Sequence, residues 1–157
     1  MKRFLCLCLM TVMMTVALAA CGKGEAKEVT AAPDDIAKEL VADTVTSDSL
    51  GKISADIFAS TYLADMNEIE DSAAYLSSAA TSCEVVVVKC KSADYASEVE
   101  KLLKKRADDR KTLFASYNAD EAGRLDKAII KTSGNYAVLC VCDDNDKANE
   151  ILSKYGF

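Results

Sequence analysis

Cysteine is the residue type with the widest chemical scope in this chain of 157 residues, which has seven cysteines and no histidine. Histidine is the commonest general base and a common metal ligand, so catalysis here would depend on carboxylate, lysine or thiol groups. The spacing of the cysteines matches no zinc-binding pattern, and no nucleophile motif accompanies them. We therefore predict no catalytic residue, no metal site and no cofactor. The thiols beyond residue 20 are Cys21, Cys83, Cys90, Cys140 and Cys142.

Cys21 ends a stretch that is typical of a lipoprotein signal peptide. Two basic residues near the N-terminus are followed by an apolar run over residues 4–18 and by a pair of alanines. In bacterial lipoproteins the cysteine at this position is acylated and becomes the new N-terminus. We predict a signal peptide over residues 1–20, lipid attachment at Cys21 and anchoring on the extracytoplasmic face of the cell membrane. An uncleaved transmembrane helix, or a secretory signal with a coincidental cysteine, is the alternative.

The net charge of the chain limits the classes of partner that it is expected to bind. The net charge is −6, and it becomes −8 when the signal peptide with its two basic residues is removed. An acidic domain without a clustered basic surface is not expected to bind nucleic acid. Residues 21–33 are small, polar and without period, which predicts a lipidated flexible tether. Residues 34–157 are then expected to form a single domain.

Two helical segments are expected to open this domain. Asp34 or Asp35 can cap a first helix that ends near Val45, and residues 46–51 are predicted to be a loop. Apolar residues at helical spacing over 53–63 predict a short second helix, and residues 66–71 an acidic link.

The apolar period changes to two near residue 73, which indicates strands. A run of four valines and the turn sequence Gly134-Asn135 indicate two hairpins. Arg106 and Arg110 lie beside the apolar stripe of a long helix between the hairpins, so either can reach a carboxylate on a neighbouring element. The predicted elements are strands at 73–79, 83–90, 126–132 and 136–142, helices at 93–116 and from 143 or 144 onward, and a connector at 118–124.

These elements predict an α+β fold with a four-stranded antiparallel sheet. The second and fourth strands are apolar on both faces and belong in the centre, which gives the order 1-2-4-3. The ββαββα order is equivalent to a permuted ferredoxin-like arrangement. We expect the two later helices to cover one face, and the leading helices or a partner subunit to cover the other.

The chain also resembles a known family over roughly residues 36–157. The resemblance lies in Ser77-Ser78, Glu84 in the valine-rich strand, the long helix with Arg106, and Gly134-Asn135-Tyr136. These features are similar to the domain-of-unknown-function family numbered four-three-five-eight. Its members are typically small bacterial lipoproteins of uncharacterised role, so the resemblance implies an anchor and a compartment without an activity. The second thiol beside Cys140 and the thiol at the start of the valine-rich strand depart from the family.

Cys83 and Cys142 should approach each other in the predicted sheet, because the start of the second strand lies beside the end of the fourth. Three interpretations stay open at this point: buried thiols, a structural disulfide, or a redox site. Cys90 lies at the opposite end of its strand and is expected to remain unpaired. The acidic residues at 143–146 resemble a calcium-loop fragment, but they lack its glycine and distal glutamate, and helix capping explains them.

The sequence favours a membrane-anchored extracytoplasmic lipoprotein that binds an envelope protein or a small ligand without catalysis. The missing histidine, zinc spacing and nucleophile motif motivate this expectation. The alternative is an envelope enzyme that uses thiol or carboxylate chemistry.

Overall fold

The computed structural model describes residues 28–78 and 81–157. The predicted signal peptide, Cys21 and tether residues 22–27 lie outside the described residues, as do Ala79 and Ala80 of the first predicted hairpin. The elements in chain order are α1 (Pro33–Thr44), β1 (Leu50–Lys52), α2 (Ala55–Tyr62), β2 (Ile69–Ser77), β3 (Glu84–Cys90), α3 (Ala93–Ala115), α4 (Ala119–Leu125), β4 (Ile129–Ser133), β5 (Tyr136–Val141) and α5 (Asn145–Tyr155).

The strands form one antiparallel sheet in the order β1-β2-β3-β5-β4. The predicted order of the four longer strands is confirmed. The sheet also has a fifth strand, β1, at the edge beside β2, where the sequence predicted a loop. A segment of three residues of mixed polarity is too short to show an apolar period. β1 is therefore defined only by its hydrogen bonds to β2, and its sequence does not predict it.

The two faces of the sheet carry separate apolar clusters, because side chains of a strand alternate between faces. Val85 and Val87 pack with α1 and α5 on one face. Val86 and Val88 pack with α2, α3 and α4 on the other. Helices therefore cover both faces, and the central strands β3 and β5 are buried on both sides.

This layering corrects the expected placement of the helices. We predicted that the two later helices share one face, but α3 and α5 lie on opposite faces, and each leading helix joins a different one. The permuted ferredoxin-like description therefore does not hold in detail. An amphipathic helix can bury its apolar stripe against either face of the sheet, so the sequence pattern alone does not predict which face the helix covers.

Local sequence signals explain several element boundaries. Gly134 has a φ of 55° in the β4–β5 turn, and Asn135 does not share a positive φ, which fits a type II′ hairpin. Asp144 caps α5 by accepting a hydrogen bond from the Lys147 N–H at 2.9 Å, as the capping interpretation predicted.

The N-terminal part of the described chain packs against the domain. We predicted a flexible tether as far as residue 33, but Val29 is buried in the cluster on the α1–α5 face. The Tyr136 hydroxyl donates a hydrogen bond to the Ala31 carbonyl at 3.2 Å. Within residues 28–78 and 81–157, no helix has the length and apolar character needed to cross a membrane.

Candidate functional site

Most of the chemistry-bearing side chains gather at one end of the sheet, which we call the polar end. It consists of residues 82–84 at the start of β3, residues 141–143 at the end of β5, and the side chains that contact them. The antiparallel register, with Glu84 opposite Val141, brings these two segments together. The C-terminal end of α1, the C-terminal half of α3, and α4 supply the remaining groups.

Glu84 is a buried carboxylate with three partners. Its side chain is 1% exposed. Oε1 accepts hydrogen bonds from the Tyr62 hydroxyl at 2.5 Å and from Arg106 Nε at 3.2 Å. Oε2 accepts from Arg106 Nη2 at 3.2 Å and from Arg110. Burial and the Glu84 charge raise the pKa of Tyr62 far above its usual range, so the tyrosine stays a hydrogen-bond donor.

The same two arginines also join α3 to its surroundings. The Arg106 guanidinium lies 5.7 Å from the centre of the Tyr62 ring, a cation–π arrangement. Arg110 donates to the carbonyls of Thr81 and Ser82, which precede β3. The prediction that one of Arg106 and Arg110 reaches across to a carboxylate is therefore confirmed, and in fact both reach the same carboxylate, Glu84.

A second chain of ion pairs links α4 to the end of β5. Glu121 Oε2 accepts hydrogen bonds from the Ser82 N–H and hydroxyl, both at 2.7 Å, and from Arg124 Nε at 3.1 Å. Burial alone would raise the pKa of Glu121, but these hydrogen bonds lower it. Arg124 continues to Asp143, so one guanidinium bridges two carboxylates.

Asp143 fixes the loop after α1 to the end of β5. Its Oδ2 accepts from the backbone N–H groups of Thr46 at 2.6 Å and Ser47 at 2.8 Å, and its Oδ1 accepts from the Ser47 hydroxyl at 2.9 Å. Burial opposes ionisation of Asp143, but Arg124 and these donors hold its pKa well below the usual range. The carboxylates of this bridge are thus ionised and already occupied by donors.

Of the four thiols in the part of the chain that the structure describes, three lie at the polar end and one is elsewhere. Cys83, Cys140 and Cys142 all belong to the apolar cluster on the α1–α5 face. Cys90 lies at the far end of β3 in the other cluster, where burial raises its pKa to about 11. All four are buried free thiols.

The environment of Cys142 differs from that of the other thiols. The nearby Cys140 thiol, then Thr44 and the Asp144 backbone, lower the pKa of Cys142 to about 7 against the opposing effect of burial. The same contact and burial raise the pKa of Cys140 well above normal. The Cys142 S–H itself donates to Asn145 Oδ1 at 3.6 Å. Burial also raises the pKa of Cys83, whose sulfur lies 3.8 Å from the Ser47 hydroxyl. Cys142 is therefore the thiol that ionises first.

An open groove of about 470 Å³ borders the polar end. Arg124 and Lys127 line it on the α4 side, and Cys142 and Asn145 line it on the side of β5 and α5. Asp120 and Asp143 add negative charge, so the groove has mixed polarity. Such a lining suits a polar ligand or a peptide segment better than an apolar molecule.

Comparison with known proteins identifies a family. A model of the family described as Domain of unknown function (DUF4358) matches residues 43–142. The chain belongs to this family. The match begins beside Thr44 and ends at Cys142, so it contains the polar end apart from Asp143 and the start of α5. No curated protein and no solved structure matches the chain.

In this DUF4358 protein, the structure describes only some of the site residues that the sequence predicted. Cys83 and Cys142 are brought to the same end of the sheet, whereas Cys21 lies outside the described residues. In the described ranges, no three or more cysteine or acidic side chains are arranged to hold a metal ion. The disulfide stays a prediction, since the two thiols are free here.

Glu84, Glu121 and Tyr62 are site residues that the sequence analysis did not identify. For Glu84 a signal was available, because it is the only acidic residue in a β3 sequence otherwise made of valines, a lysine and a cysteine. A buried charge in such a strand requires a partner. Tyr62 and Glu121 gave no comparable signal, since helical tyrosine and glutamate are ordinary surface residues.

Proposed function

We propose that this DUF4358 protein is a lipid-anchored extracytoplasmic domain that binds an envelope protein or a small polar ligand and does not catalyse a reaction on it. The observation that carries the anchoring is the sequence Leu18-Ala19-Ala20-Cys21 after a basic and apolar leader. Two or three acyl chains on Cys21 would hold the protein stably on a membrane. The packed chain that begins by Val29 would then sit close to the lipid surface.

The binding part of the proposal is supported by the state of the acids at the polar end. Glu84 is neutralised by two arginines, and Glu121 and Asp143 share a third. A general base needs a free, accessible carboxylate with a pKa near the working pH. These carboxylates are instead occupied by fixed donors, and of these groups Arg124 and Asp143 line the groove.

The anchor is tested with the full chain expressed in a bacterium that processes lipoproteins. Cys21→Ser should abolish labelling by a palmitate analogue and leave the chain uncleaved, whereas Cys90→Ser should be labelled like the wild type. Intact-mass measurement of the mature chain gives the second readout. A mature wild-type protein without acyl mass, or Cys21→Ser protein that is still labelled, would refute the anchor.

Binding at the groove is tested with a photo-crosslinking residue in place of Lys127, in intact membranes. The matched control replaces Lys91, which is also exposed but lies at the opposite end of β3. We expect a discrete adduct from position 127 and none from position 91. Equal crosslinking from both positions, or none from 127, would contradict a ligand site at the groove.

An envelope enzyme that uses thiol chemistry is the second candidate function. The observation that favours it is the gathering of three thiols at the polar end, with one of them bordering the groove.

A further inference from the structure

The strand register places Cys83 directly opposite Cys142. Glu84 pairs with Val141, so the register continued by one residue joins these two cysteines. The Cys90 N–H donates to the Asn135 carbonyl at 2.8 Å, which marks that pair as hydrogen-bonded. Hydrogen-bonded and non-hydrogen-bonded pairs alternate along an antiparallel ladder, so Glu84 and Val141 form a hydrogen-bonded pair. Cys83 and Cys142 therefore form a non-hydrogen-bonded pair, with an expected Cα separation of about 4.5 Å.

That geometry is compatible with a disulfide. Disulfides join residues whose Cα atoms are about 4.4–6.8 Å apart, and side chains of a non-hydrogen-bonded pair lie close together on one face. Both side chains belong to the same apolar cluster, so they lie on the same face of the sheet. Cys140 is two residues before Cys142 on that face and lies opposite Val85 in the register.

The three thiols differ in access to solvent. Cys142 borders the groove, whereas Cys83 and Cys140 do not line it and are fully buried. Cys140, the Thr44 hydroxyl and the Asp144 backbone face Cys142, and the Cys142 S–H donates to Asn145 Oδ1 at 3.6 Å. The Asp143 carboxylate opposes the thiolate, and the Arg124 charge that bridges Asp143 to Glu121 lies on the same side.

We propose that Cys142 is the entry thiol of a thiol–disulfide exchange site and that Cys83 is its resolving thiol. The substrate class is a disulfide carried by a peptide or by a small thiol that enters the groove. This site rests on the second candidate function, thiol chemistry at the groove, and does not depend on the lipid at Cys21.

The reaction is a two-step exchange. The Cys142 thiolate attacks one sulfur of the substrate disulfide, which forms a mixed disulfide and releases the other sulfur as a thiolate. That thiolate takes the proton of Cys83, and Cys83 then attacks the Cys142 sulfur and releases the second substrate thiol. The second substrate sulfur leaves as a thiolate and takes from water the proton that Cys142 released when it ionised. The substrate has then gained two electrons and two protons, and the protein is left with a Cys83–Cys142 disulfide.

The test uses the full chain in detergent, with oxidised glutathione as the probe and peptide mapping by mass spectrometry as the readout. The wild type should form the Cys83–Cys142 disulfide. Cys83→Ser should accumulate glutathione on Cys142, and Cys142→Ser should form neither product. Cys90→Ser is the matched control and should behave like the wild type.

Several results would overturn the proposal. The first is a native wild type that stays reduced under conditions that oxidise the urea-unfolded chain. The second is a disulfide between Cys140 and Cys142, and the third is a mixed disulfide on Cys90. Because mapping follows each cysteine separately, the result is independent of whether Cys21 carries lipid. Failure of the anchor and failure of the exchange site are therefore distinguishable.

Alkylation of the folded chain by iodoacetamide keeps the proposal testable if a variant does not fold. At pH 7 a thiol with a pKa of 7 is half ionised, about 50-fold more than a thiol with a pKa of 9. Its lower intrinsic nucleophilicity removes roughly eightfold, which leaves a net gain of about sixfold. Cys142 should therefore react at least several-fold faster than Cys90 in the wild type, and equal rates would refute the entry role.

Discussion

Replacing Glu84 by glutamine would remove the buried negative charge at the polar end while keeping the shape of the side chain. Glu84 is 1% exposed, and Arg106 and Arg110 are 26% and 16% exposed. Breaking a fully buried ion pair by removing one partner costs about 3–5 kcal/mol. Both arginines keep some contact with water, which lowers the cost, so we expect Glu84→Gln to reduce the free energy of unfolding by about 2–4 kcal/mol.

The Tyr62 hydroxyl supplies an independent check on that magnitude. Tyr62→Phe removes one hydrogen bond to a charged acceptor, and such bonds contribute about 1.5–3 kcal/mol. In the Glu84→Gln single variant the Tyr62 hydroxyl donates only to a neutral amide, which is a weaker hydrogen bond. Tyr62→Phe should therefore cost less in that background, and the two losses should not add. The coupling free energy from the double-mutant cycle should be about 1 kcal/mol or more, the range found for residues in contact.

Urea unfolding followed by far-ultraviolet circular dichroism is the appropriate assay, because the chain has no tryptophan. The matched control is Glu98→Gln, which removes an exposed acid of α3 that pairs with Lys101 at 2.7 Å. Exposed pairs contribute about 0–1 kcal/mol, so the control should be close to wild type. A loss below about 1 kcal/mol for Glu84→Gln, at an unchanged dependence on urea, would refute the assignment of Glu84 as the main polar tie between β3 and α3.

Two further predictions concern stability. Leu63 ends α2 with a φ of 56° and is 74% exposed, so Leu63→Gly should stabilise the fold by about 0.5–1 kcal/mol. The same change at Leu113 within α3 should destabilise it, and a loss at both positions would contradict the argument. Asp143→Asn should cost about 2 kcal/mol at pH 7. Because folding lowers the pKa of Asp143, the difference in the free energy of unfolding between the wild type and Asp143→Asn should narrow as the pH falls below about 4. Urea unfolding at pH 7 and pH 3 measures this difference, and a difference that stays constant would refute the prediction.

Much of the fold follows from local sequence patterns. The valine run of β3 and the alternation around Gly134 identified the central strands, and apolar content on both faces placed them inside the sheet. The long helix α3 was predicted to within about one residue at each end. These features are local, because the spacing of apolar residues in a short segment shows whether one or both of its faces are buried.

The sequence failed where an element has no period of its own or where two placements satisfy the same pattern. The three residues of β1 depend entirely on pairing with β2. The faces chosen by α3 and α5 depend on how the connections cross the sheet, and an amphipathic helix is satisfied on either face. Both errors are therefore tertiary in origin.

The candidate site divides in the same way. The sequence by itself predicted a leader over residues 1–20, showed the absence of histidine, and indicated the strand order that brings Cys83 toward Cys142. Only the tertiary structure decided which groups meet at the polar end, for example Thr46 and Asp143, which are 97 residues apart. Hydrogen bonds between such distant residues depend on side-chain direction and packing, which no local period records. The sequence therefore predicted that an arginine of α3 reaches a carboxylate, and only the folded chain identified Glu84 as that carboxylate and Tyr62 as its further partner.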